Sequence, residues 1–124
     1  MLTVTLKGKP TVYVAGPYRA DTPLQVERNI RAAEVVIERL VELEVPFICL
    51  HTMTRFFDGT GPDEYWLALG LHLLDKCDCV VLLPDWKRST GSLAEVARAD
   101  KLGNPVYASI DDFEDHALYR GWWR

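Results

Sequence analysis

Residues Ser89 to Ala99 read STGSLAEVARA and set Glu95 four positions after Gly91, at what reads as the start of a helix. Two kinds of chemistry fit that spacing. Ser92-Leu93-Ala94-Glu95 matches a capping box, in which the serine hydroxyl bonds an exposed amide and the glutamate reaches back to the cap. The same helix start would also keep a carboxylate ionised, as a nucleophile must be. Ser89, Gly91 and Ser92 are equally double-edged, because hydroxyls and free amides at a helix N-terminus either cap the helix or bind a phosphate. Lys87 and Arg88 make this short stretch locally positive.

A second candidate loop is Gly16-Pro17-Tyr18-Arg19. A glycine lets the backbone approach a ligand and an arginine can fork onto phosphate, although a glycine turn with a solvated arginine fits too. Trp66 and Trp86, like Tyr65, could stack on a nucleobase or belong to the core. His51 reads as a structural contact at a strand end.

Other classes are disfavoured. There is no GxGxxG and no P-loop, so neither NAD nor FAD in the Rossmann manner is expected, nor any other cofactor. His51, His72 and His116 share no zinc-like spacing with Cys49, Cys77 and Cys79, so no metal is expected. A net charge of −4 speaks against a nucleic-acid polymer or an anionic membrane surface as partner. An odd set of cysteines in or beside apolar runs reads as buried, reduced thiols of a cytoplasmic protein. No stretch has the apolar length of a signal peptide or a membrane span, and 124 residues suggest one domain, 1–124.

The elements that must position these residues alternate. TVYVA (Thr11 to Ala15), PFICL (Pro46 to Leu50), CVVLLP (Cys79 to Pro84) and PVYAS read as strands without polar alternation. Between them run an amphipathic helix over Gln25 to Leu43, one capped by Asp63 and running to about Lys76, and one ending at Gly103; His51 to Gly61 reads as a loop. Buried strands separated by helices predict an α/β three-layer sandwich with a central parallel sheet, flavodoxin-like or Rossmann-like. Ligands of such sheets bind beyond the carboxyl ends of the strands, where GPYR, HTMTRFFDG, DWKRSTGSLAE and SIDDF fall.

VYVAGPYR, NIRAAEVVIERL, YWLALGLHLLDKCDCVVLLPDW and GSLAEVARADKLGNPVY, in that order from Val12 to Tyr107, resemble the nucleoside 2-deoxyribosyltransferase-like superfamily, in particular its small bacterial and phage branch. The resemblance implies that Glu95 attacks C1′ of a nucleoside or nucleoside 5′-monophosphate, cleaving or transferring the N-glycosidic bond. It places Gly16, Tyr18, Arg19, Ser89, Gly91 and Ser92 around sugar and phosphate, with Arg19 and Ser89 at phosphate-gripping positions. It also implies a homodimer or higher homo-oligomer; the tail residues Trp122 and Trp123 would suit an apolar interface, and packing back on the same subunit would suit them equally. One position departs from the pattern: Gly70 stands where the family carries an aspartate, eight residues before Asp78. Asp75, His72 and Asp58 are the nearby acids or bases that could replace it, but helical phase points Asp75 and His72 elsewhere. The rival reading that this departure supports is a noncatalytic nucleotide-binding domain on the same scaffold.

Overall fold

All four residues of Val12–Ala15 (β1) are buried, which is what a central parallel strand covered on both faces requires. The computed structural model describes residues 4–57 and 59–120, so the expectations for Asp58, Trp122 and Trp123 lie outside the described residues. Strand β1 pairs in parallel with Phe47–Ile48 (β2) on one side and Cys79–Leu82 (β3) on the other, and β3 pairs with Val106–Tyr107 (β4). The sheet order is β2-β1-β3-β4, so the chain reverses its direction of winding between β1 and β3.

Strand alternation sends β1 into two different cores. Val12 and Val14 join Val81, Leu83 and Phe113 on the face covered by Pro23–Glu42 (α1) and Ile110–Arg120 (α5). Tyr13 and Ala15 join Leu74, Val80, Leu82 and Ala99 on the other face, beneath Asp63–Leu74 (α3) and Thr90–Leu102 (α4). This is the three-layer α/β sandwich expected, with α5 added after β4.

Local chemistry sets the helix ends. Thr22 caps α1 by accepting a bond from the Gln25 amide, and Pro23 occupies the first turn, where its missing N–H is not needed, so α1 begins before Gln25. Pro62, not Asp63, is the residue preceding α3. The expected loop after β2 opens with a short helix, Leu50–Met53 (α2). Gly103 ends α4 in the left-handed conformation, at φ 74°. No helix among the described residues is long and apolar enough to cross a membrane.

Candidate functional site

Beyond the carboxyl ends of β1 and β3, at the reversal in strand order, lies a cavity of about 1010 Å³. Glu95 opens onto it. Helix α4 turns Ser92, Glu95 and Ala99 inward, positions that share one face at helical spacing. Ala99 is sealed in the core, while Glu95, one turn nearer the N-terminus, borders the cavity at 9% exposure.

The capping-box expectation fails. Helix α4 starts three residues earlier than that pattern needs: Ser89 is the cap, its hydroxyl accepting the Ser92 amide at 3.1 Å. Glu95 therefore lies in the second turn, where the helix dipole has largely faded. Its carboxylate accepts a short hydrogen bond from the Tyr13 hydroxyl instead. Nor is the group simply held ionised, as the helix-start reading implies. Burial pushes Glu95 up to about 7, with the Tyr13 bond pulling the other way. Burial first, then the neighbouring carboxylate, drive the Tyr13 phenol well above its ordinary range, so Tyr13 stays protonated and donates.

Sequence reasoning missed Tyr13, whose strand reads as uniformly apolar. Its own alternation was the available signal: a phenol in the middle of a buried strand must send its hydroxyl to a polar partner. His51 is the structural contact expected, and it stands on the cavity wall as well. It lines the cavity, is 5% exposed, and donates from Nε2 to the Pro17 carbonyl at 2.8 Å, with Nδ1 3.7 Å from the Cys49 thiol. Burial lowers its pKa, so this imidazole is neutral and ties the loop after β1 to α2. Asn29 reinforces that loop by donating to the Tyr18 carbonyl at 3.0 Å.

Of the residues named from sequence, Gly16, Tyr18, Arg19, Trp66, Ser89, Gly91, Ser92 and Glu95 all border the cavity. Trp86 is the exception. It sits in a single 3₁₀ turn, Trp86–Arg88, and packs on the core beneath α3 and α4, with the Lys87 ammonium 5.7 Å from its ring centre. Arg88, from the same turn, does border the cavity.

The glycines differ in what requires them. A side chain on Gly16 would meet the buried Leu83 Cβ at 2.4 Å, so close strand packing, rather than ligand approach, demands glycine there. Near Gly91 the closest atom to an added methyl is Ser89 Oγ at 3.7 Å, leaving bare backbone toward the cavity.

The helix start on the cavity wall has an unfinished polar group. Ser92 is 1% exposed and its Oγ has no hydrogen-bond partner among the described residues. Across the mouth, Arg19 pairs with Asp63 at 2.5 Å, an exposed ion pair that a stronger anion can replace at little cost. The suggested stand-ins for residue 70 lie elsewhere: Asp75 is held by Arg98 in two bonds of 2.7 Å, and neither Asp75 nor His72 borders the cavity. Among the described residues, no cluster of three or more His, Cys, Asp or Glu could hold a metal ion.

A parallel sheet carrying a buried acid and a helix start on one cavity at its switch point is an open α/β protein with a candidate site where that class of sheet binds its ligands. Within that class the chain belongs to the family described as a domain of unknown function (DUF7768), matched over residues 10–109. No curated protein matches it.

Proposed function

We propose that the protein cleaves or transfers the N-glycosidic bond of a nucleoside 5′-monophosphate or nucleoside, with Glu95 as nucleophile at C1′. One observation carries the reading: a single cavity joins the Glu95 carboxyl to the N-terminus of α4, where Ser92 Oγ is buried without a partner among the described residues. Thr90 and Glu95 are about 7 Å apart along the helix axis, the order of the separation between C1′ and the 5′ phosphorus of a nucleotide. The α4 amides, Ser89, Ser92, Arg88 and Arg19 supply donors and positive charge for that phosphate. The resemblance of the chain to nucleoside 2-deoxyribosyltransferase-like proteins points the same way.

In the reaction, ionised Glu95 forms a bond to C1′ as the C1′–N bond breaks, the electron pair leaving with the base, which takes up a proton from solvent. Water then attacks C1′, gives up a proton to solvent and returns the carboxylate, or a second base does so, is glycosylated and loses its N–H proton to solvent. Two inversions retain configuration. Tyr13 holds the attacking oxygen in place, and Trp66 offers a stacking face for the base. The unpaired, buried Cys49, Cys77 and Cys79 suit a reducing, cytoplasmic setting.

The test is release of free base from a panel of ribo- and deoxyribonucleotides and NAD, read by chromatography, with Glu95→Ala as control. Release that is lost in the variant supports the reading, and release that survives refutes it. Tight binding without release from any substrate selects the rival, a noncatalytic nucleotide-binding domain. We propose further that the chain forms a homodimer, since α3 exposes Tyr65 and Leu67 and α4 exposes Leu93. A strictly monomeric mass by light scattering at micromolar concentration would exclude it.

A further inference from the structure

Gly70 lies in the middle of α3, buried, where the helix crosses directly over the Tyr13–Glu95 pair. A methyl group placed on it would stand 2.9 Å from the Tyr13 hydroxyl, 3.1 Å from Glu95 Oε2 and 3.3 Å from Leu50 Cδ1. All three are closer than ordinary van der Waals contact. Gly70 is also helical, where glycine costs about 1 kcal/mol relative to alanine, so something other than helix stability is served by it.

We infer that Gly70 is a positioning residue: its missing side chain lets α3 close onto the Tyr13 hydroxyl and the Glu95 carboxyl and hold the two together on the cavity wall. The residue is thus no simple loss of a functional group. A side chain at position 70 and the Tyr13–Glu95 pair compete for the same space, and an acid introduced there displaces the pair instead of assisting it. The inference deepens the proposed reaction, since Glu95 is its nucleophile, but the packing claim stands apart from whether base is released.

Which partner gives way to a side chain depends on rigidity. Tyr13 is 1% exposed and anchored on the central strand, whereas the Glu95 side chain, at 9%, can rotate toward the cavity and α3 can lift. Either movement exposes more of the carboxyl to water. Burial is the larger influence on Glu95 and the Tyr13 bond the smaller, opposing one, so the net result is easier ionisation. The ionisable groups nearest in influence are few. Tyr13 faces Glu95 from β1, and the Cys49 thiol feels its charge from the end of β2. Gly70 and Leu50 bring no charge; the charged groups elsewhere on the cavity wall are Arg19, Asp21, Asp63, Glu64, Asp85 and Arg88.

The experiment is titration of the Glu95 carboxyl by ¹³C NMR on glutamate-labelled protein, assigned with Glu95→Gln, in the wild type, Gly70→Ala and Gly70→Asp. The wild-type midpoint is expected near 7. Gly70→Ala should lower it by about a pH unit. Gly70→Asp should replace the single step by two coupled carboxyl steps, because two acids in one site cannot ionise independently. A folded Gly70→Ala protein whose midpoint is unmoved overturns the inference. Stability provides an arm that works even if that variant folds poorly: Gly70→Ala should be markedly less destabilising in a Tyr13→Phe background, where the hydroxyl it collides with is gone. Additive effects of the two substitutions would overturn the inference as well. Wild-type protein that titrates as stated yet releases no base refutes the proposed reaction and leaves the role of Gly70 standing.

Discussion

Replacing Glu95 by glutamine removes the charge and keeps the shape, and the surroundings of that side chain set both the sign and the size of the effect on stability. Burial raises the carboxyl from its ordinary 4.5 to about 7. Between those values the native protein keeps a proton that the unfolded chain has given up. The native state therefore binds more protons, and stability falls as pH rises through that window. At about 1.4 kcal/mol per pH unit the wild type loses about 3 kcal/mol between pH 4 and pH 8 on account of this one group. Glutamine does not titrate and escapes the loss. Its amide can still accept from Tyr13, but its NH₂ needs a partner, and an unsatisfied buried donor costs about 1 kcal/mol at any pH. Glu95→Gln should thus be slightly less stable than wild type at pH 4 and about 2 kcal/mol more stable at pH 8. The full swing of about 3 kcal/mol corresponds to about 10 °C in Tm for a domain of this length. Urea denaturation of both proteins at the two pH values measures it, and the difference between them cancels other titrating groups. A variant whose stability relative to wild type is the same at pH 4 and pH 8 would refute the account of Glu95 as a buried, reluctantly ionised acid. If the proposed reaction holds, the same variant releases no base, so activity is retained at the expense of stability.

Other substitutions probe the remaining parts. Tyr13→Phe removes the hydrogen bond that favours Glu95 ionisation, so the carboxyl should titrate above 7 and, if the proposed reaction holds, base release at neutral pH should fall about tenfold, recovering toward pH 9; a pH–rate profile checks this, and an unmoved acid limb contradicts it. Ser92→Ala deletes a buried hydroxyl with no partner among the described residues, so Tm should hold or rise slightly while, if the proposed substrate is right, calorimetric affinity for a nucleoside monophosphate drops about tenfold; unchanged affinity would argue against a phosphate at this helix start. Gly16→Ala drives a methyl into Leu83 and should destabilise by about 2 kcal/mol in chemical denaturation, whereas Gly91→Ala, whose methyl meets Ser89 Oγ at an ordinary 3.7 Å, should stay within about 0.5 kcal/mol. Equal effects at the two glycines would show that Leu83 is not what fixes Gly16.

The amino-acid sequence by itself determined the alternation of buried strands and helices, and with it the parallel sheet and the end of the sheet where a site must lie. Those signals are local: the apolar runs and the stop at Gly103 are written within a few positions. Glu95 was legible as a candidate but not in its state. A capping box and a nucleophile share one spacing, and only the true helix start at Ser89 and the facing Tyr13 separate them. Trp86 and Trp66 looked alike in sequence because aromatic character says nothing of direction; packing sent one to the core and the other to the cavity. The partnership of Tyr13, Gly70 and Glu95 was beyond reach for the same reason. It joins three elements 57 and 25 residues apart in the chain, meeting only because strand alternation and two helix faces converge on one point, and no local pattern records that convergence.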